Sequence, residues 1–166
     1  MKRLIVVRHG KSSWKQQVPD DERPLKKRAL KDAKAVLGIF DTFFKQNIDS
    51  GSAMFWSSPA TRAHETAKIF KKKLGIKDEN FQVKKALYTF NSRELKNIIC
   101  SAPNSIETLV VFSHNPGITN LVNAMGDRKF DNIPTTGLCV IDFEDSNWDT
   151  ITSGKTLLTL FPKNLR

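Results

Sequence analysis

Short apolar runs alternate with helix-period segments along most of this chain, and that alternation most narrows what it can fold into. Residues 4–7 (LIVV) are short, β-branched and uninterrupted, which is the pattern of a buried strand. Between residues 25 and 45, Ala29, Leu30, Ala33, Val36, Leu37, Phe40, Phe43 and Phe44 recur with the 3.6 period of a long amphipathic helix. Residues 53–58 (AMFWSS) read as a second strand. A helix is expected next, with Ser58 as its cap, Pro59 in its first turn and Gly75 as its stop. A weaker strand is expected in residues 81–87. Residues 91–100 read as a helix, with Asn91 and Glu94 in capping-box spacing. Residues 108–113 (TLVVFS) are the clearest central strand. Asn115-Pro116-Gly117 breaks it, and residues 118–125 resume as a helix. Two last strands, 138–143 and 156–161, flank a hairpin-like turn at 144–149 (EDSNWD). The expected architecture is three-layer α/β/α, with a mostly parallel central sheet and an antiparallel edge. No linker, repeat or low-complexity stretch divides residues 1–166, so one domain is expected.

Composition narrows the setting. The apolar run at 4–7 is far too short for a signal peptide or a membrane span. Cys100 and Cys139 lie far apart, without a metal or redox spacing. A reducing cytoplasm fits both facts. The net charge of +10 attracts anions, whether nucleic acid, acidic protein surfaces or phosphorylated substrates. No RNA-recognition signature, zinc spacing or helix-turn-helix pattern favours nucleic acid.

The chemistry collects after three strands. Arg8 and His9 follow the first, Arg62 the second and His114 the fourth. Ligands of open α/β sheets bind outside the carboxyl ends of the strands, so these four side chains are expected at one sheet edge. Taken singly, each is an ordinary loop or helix residue. Their joint placement is what points to a site. Two guanidinium groups, two imidazoles and the N-termini of two helices make a natural cradle for a tetrahedral dianion. Two histidines without carboxylate or cysteine partners make a thin metal site, and the arginines repel a cation, so no metal and no cofactor are expected. Ser12 is a candidate donor to the anion, as are backbone N–H groups around Asn115 and Gly117. His64 reads as structural.

These residues also carry a family resemblance. "VVRHG" resembles the Arg-His-Gly signature of the histidine phosphatase superfamily, also called phosphoglycerate mutase-like. "SSPATRAHETA" resembles its second motif. "SHNPG", "DERPLKKRALKDA", "IPTTGL" and "FPKNL" resemble the branch of phosphohistidine phosphatase SixA. The likeness runs from residue 3 to residue 165. Ser113 and Ala29 stand where that branch usually has glycines. The resemblance implies a phosphoglycerate mutase-like fold and a phosphatase with His9 as nucleophile. Arg8, Arg62 and a protonated or hydrogen-bond-donating His114 would stabilise the transferring phosphoryl group. Many relatives carry a glutamate as general acid after the third strand region. Here the only carboxylate in that stretch is Glu94, which the capping box explains. Asp20, in family-like spacing before Arg23-Pro24-Leu25, is the candidate acid in its place, although a solvated loop or a salt bridge to nearby lysines explains it somewhat better.

The expected activity is therefore metal-independent removal of phosphate from phosphohistidine in proteins, with a histidine-containing phosphotransfer domain as one candidate partner. A site without a dedicated glutamate suits an imidazole leaving group better than an alkoxide. The alternatives are a phosphatase for small phosphate monoesters and a non-catalytic basic module that binds phosphoproteins or nucleic acid.

Overall fold

The computed structural model describes residues 1–165. Strand β1 spans Lys2–Arg8, β2 Ala53–Ser57, β3 Phe81–Val83, β4 Thr108–Ser113, β5 Leu138–Phe143 and β6 Lys155–Leu160. They form one sheet in the order β3-β2-β4-β1-β5-β6. The first four are parallel to one another, while β5 runs antiparallel to both β1 and β6. The mostly parallel sheet with an antiparallel edge is as the sequence pattern predicts.

Alternation along β1 shows how the sheet organises two cores. Ile5 and Val7 face one helical layer, made by α1 (Lys27–Asn47) and α2 (Thr61–Leu74), where Val36, Phe40, Phe70 and Phe112 cluster. Leu4 and Val6 face the other, made by α3 (Ser92–Cys100) and α4 (Gly117–Met125), with Leu95, Ile99, Leu121 and Val122. A strand buried on both faces needs an unbroken apolar run, which is what residues 4–7 supply.

Three local readings change. Helix α2 starts at Thr61 rather than at Pro59, with Ala60 as its cap residue and no side-chain cap. The Ser58 hydroxyl accepts from the Ala60 N–H at 3.2 Å but also meets His114 Nε2 at 2.8 Å, so it serves the strand-to-helix turn instead of the helix end. The 144–149 segment is no plain hairpin turn. It leads into a 3-10 turn, Trp148–Thr150, whose tryptophan is fully buried and donates from Nε1 to the Ile106 carbonyl at 2.8 Å. A single apolar residue among polar neighbours has no periodicity to reveal its burial. The capping box at α3 is also modified. Asn91 Oδ1 accepts from the N–H groups of Arg93 and Glu94, but the return half runs through Thr89, whose hydroxyl accepts from the Asn91 N–H and donates to Glu94 Oε1 at 2.6 Å.

At its other end α2 stops as expected, on Gly75 in the left-handed region at φ 69°. Among the described residues, no helix is long and apolar enough to cross a membrane.

Candidate active site

Strands β2, β4 and β1 are consecutive in the sheet, so their carboxyl ends open at one edge. That adjacency brings the sequence-predicted residues together. The His9 and His114 rings lie 5.2 Å apart, and Arg62 Nε donates to His9 Nε2 at 3.4 Å. His9, Arg62 and His114 are buried, and Arg8 is half-buried.

The backbone around His9 is tied on both sides. Its N–H donates to the Ser113 carbonyl at the end of β4. The Arg8 and His9 carbonyls both accept from the N–H of Thr136, at 3.0 and 3.1 Å, and the Arg8 N–H donates to Gly137. Thr136 holds a φ of 61°, which a β-branched residue adopts only when its surroundings enforce it. The Gly10 N–H donates to Thr66 Oγ1 at 2.9 Å. Gly10 is required here by close approach, since a Cβ would come within 2.8 Å of Ala29 on α1.

The imidazole of His9 is oriented by its own neighbour. Nδ1 lies 2.8 Å from the Gly10 carbonyl, which can only accept, so Nδ1 carries the proton and Nε2 keeps its lone pair. Burial, with further repulsion from Arg62 and Arg8, lowers the His9 pKa to about 4, so the ring is neutral at neutral pH. Burial, followed by the influence of His9 and Arg62, lowers the His114 pKa to about 3. His114 is therefore also neutral, where the mechanism read from the sequence allowed a protonated ring. Its Nε2 meets the Ser58 hydroxyl, and its Nδ1 has no hydrogen-bond partner. The Ser58 oxygen already accepts from Ala60, and His114 Nε2 is the acceptor open to its proton. With the Ser58 hydroxyl donating to Nε2, the His114 proton sits on Nδ1. Arg8 donates from Nη1 to the Ile133 carbonyl at 2.8 Å, and its buried Nε is unpaired.

The remaining candidates divide. Ser12 is buried near the site, and its hydroxyl oxygen accepts from Arg23 Nη1 at 2.6 Å, which helps position that arginine and does not use the hydroxyl's own proton. The Asn115 side chain is committed to the fold: it donates to Asn132 and Ile133 and accepts from Thr119. Asp20 does enter the site. Its Oδ2 accepts from Arg62 Nη2 at 3.0 Å and from the Tyr88 hydroxyl at 2.6 Å, and its Oδ1 accepts from Arg23 Nε at 3.2 Å. Partial burial raises its pKa, but the bonds from Tyr88, Arg62 and Arg23 outweigh it and hold the value at about 2. In this arrangement Asp20 is ionised, as an acid at neutral pH is not. Its partners are two arginines and a tyrosine, not the lysines a loop salt bridge would use.

Sequence reasoning missed Arg23, Tyr88, Ser58 and Thr136. Arg23 is buried, and its guanidinium lies 3.5 Å from the ring centre of Trp14. Its signal was available, since it stands inside the "DERPL" stretch. Tyr88 places its ring edge-on to His114 at 5.3 Å, and nothing in its flanks announces that. Ser113 donates its hydroxyl to the Leu87 carbonyl at 2.7 Å and so pins the segment that carries Tyr88. Glu94 stays at the start of α3, paired with Thr89.

Comparison with known proteins identifies the family and the fold. The model of the histidine phosphatase superfamily (branch 1) matches residues 4–91. No curated protein matches the sequence. A protein histidine phosphatase SixA complexed with tungstate is similar in structure, with TM-score 0.78 and 17% identity, covering 99% of this chain and 99% of that one. A SixA protein from Nakamurella multipartitia gives TM-score 0.76 at 17% identity, covering 97% and 96%. A mycobacterial glucosyl-3-phosphoglycerate phosphatase gives TM-score 0.64 at 13% identity, covering 95% and 98%. The fold is that of the SixA structures. With its Arg-His-Gly turn at the carboxyl end of β1 and the family match spanning more than half its length, the chain belongs to the histidine phosphatase superfamily, branch 1.

Proposed function

We propose that this phosphatase works through a phosphohistidine on His9 Nε2 and that its substrate is phosphohistidine in proteins. The observation that carries the reading is the state of His9. It is neutral, its Nδ1–H is committed to the Gly10 carbonyl, and its Nε2 lone pair lies beside Arg62 and His114. Such a nitrogen attacks phosphorus in line. The Nε2–P bond forms as the bond from phosphorus to the leaving nitrogen breaks, and that nitrogen keeps the electron pair and takes up a proton. Water then attacks the phosphohistidine, phosphate leaves, and His9 recovers its lone pair. Arg8, Arg62 and the Nδ1–H of His114 stabilise charge on the equatorial oxygens, and most of the acceleration comes from this positioning and electrostatics.

The acid–base content of the site favours the phosphoramidate. Glu94 is bonded to Thr89 at the start of α3, and Asp20 is ionised. A protonated imidazole leaves without a strong acid, whereas an alkoxide does not. The arginines disfavour a cation, and among the described residues no cluster of three His, Cys, Asp or Glu could hold a metal. The binding of tungstate, a tetrahedral oxyanion, by a structural relative fits the same reading.

His9→Ala is expected to lower turnover by several orders of magnitude and to eliminate the acid-labile phosphoenzyme. Full activity in that variant would sink the mechanism. A panel comparing a phosphohistidine protein with alkyl phosphate esters tests the substrate, and faster turnover of the esters selects the small-monoester reading.

A further inference from the structure

The phosphate-gripping edge of Arg62 is engaged by this chain itself. Arg62 Nη1 donates to the main-chain carbonyl of Asp20 at 2.6 Å, and Nη2 donates to its carboxylate at 3.0 Å. A guanidinium holds a phosphoryl group through such paired N–H bonds, so one residue of the loop occupies the fork. The carboxylate is held from three directions. Besides Arg62 on α2, Tyr88 Oη donates to Oδ2 and Arg23 Nε donates to Oδ1. Arg23 is fixed in turn by Ser12 and by the face of Trp14.

The two partners differ sharply in exposure. The Arg62 side chain is 2% exposed and cannot withdraw, whereas that of Asp20 is 42% exposed. The 3-10 turn carrying it, Asp20–Glu22, contains no buried residue. Nothing in the core has to move for Asp20 to leave.

We propose that Asp20 is a specificity-determining residue that holds the phosphoryl seat on Arg62 in the resting protein, and that substrate enters by exchanging a phosphoryl oxygen for its carboxylate. This rests on reading Arg62 as a phosphate ligand. A phosphoryl dianion outcompetes a tethered monoanion for a cage containing Arg8, Arg23 and Arg62, while carboxylates and phosphodiesters carry only the charge already present. The exchange selects for terminal phosphoryl groups and weakens retention of the phosphate product. The displaced carboxylate, repelled by the bound phosphoryl group, swings to solvent with its turn.

The test is calorimetric titration of inorganic phosphate into the wild-type protein and into Asp20→Asn, Arg62→Ala and Arg8→Ala. Asparagine keeps the shape of the side chain and removes its charge. Asp20→Asn is expected to bind phosphate about tenfold tighter than wild type, within the usual range for coupled ligands. Arg62→Ala and Arg8→Ala are expected to lose binding. Equal or weaker binding by Asp20→Asn, with binding still lost in the arginine variants, overturns the exchange and leaves the cage standing. Undiminished binding in both arginine variants overturns the cage and the exchange together.

Discussion

His9 and His114 are two buried imidazoles kept neutral, and this has a measurable cost. In the unfolded chain each titrates near 6.5, but in the folded protein near 4 and 3. Between those values the unfolded chain binds more protons, so stability increases with pH across the window and is lost as pH falls from 6.5 towards 4. The Asp20 carboxylate has its own folded value near 2, so its contribution is lost only at lower pH. We expect urea unfolding to show a loss on the order of a few kcal/mol between pH 7 and pH 4.5. His114→Asn should show a shallower fall. A flat wild-type profile would remove the claim that both rings are buried neutral. The same values place protonation of His9, the proposed nucleophile, well below neutral pH, so it is not expected to limit turnover between pH 6 and 8.

At the scale of elements, the turn from β1 into the following loop is fitted against α1. Gly10 and Ala29 are the contact: a Cβ on Gly10 would lie 2.8 Å from the Cβ of Ala29. Gly10→Ala would bring two methyl groups to 2.8 Å and crowd Leu25 and Thr66 as well. The expected cost is about 1–3 kcal/mol by urea unfolding, with a fall in turnover because His9 is the preceding residue. Ala29→Gly is expected to recover part of that loss in the double variant, even though glycine inside α1 is unfavourable by itself. Strictly additive effects would show that the contact does not limit the fit. The element order was largely legible because strands buried on both faces and amphipathic helices write strong periodicities. The start of α2 was not, because the Ser58 hydroxyl that could have capped a helix is used by a histidine 56 residues away. The burial of Trp148 was illegible for a similar reason, since its partner carbonyl lies 42 residues earlier.

For the whole molecule, a net charge of +10 surrounds a site built from cations. Association with an acidic phosphoprotein should therefore be steered over distances that salt screens. Raising ionic strength from 0.05 to 0.5 M (about 14 to 4 Å in screening length) is expected to lower kcat/KM for an acidic phosphohistidine protein several-fold. The loss for a small phosphorylated compound should be smaller. Equal losses for both would mean that only the local cage feels the substrate's charge.

The sequence by itself determined the alternation of strands and helices, and placed Arg8, His9, Arg62 and His114 at strand ends. Each of these features is local: it rests on periodicity or on position relative to one element. The tertiary structure alone decided that β2, β4 and β1 are neighbours, which turns separate strand ends into a cage. It also decided the tautomer of His9 and the role of Ser12 as a support for Arg23. Above all, it brought Asp20 across to Arg62 and Tyr88. Those outcomes depend on pairings between residues tens of positions apart, and the hydrogen-bonding capacity of one side chain carries no trace of which distant partner will meet it.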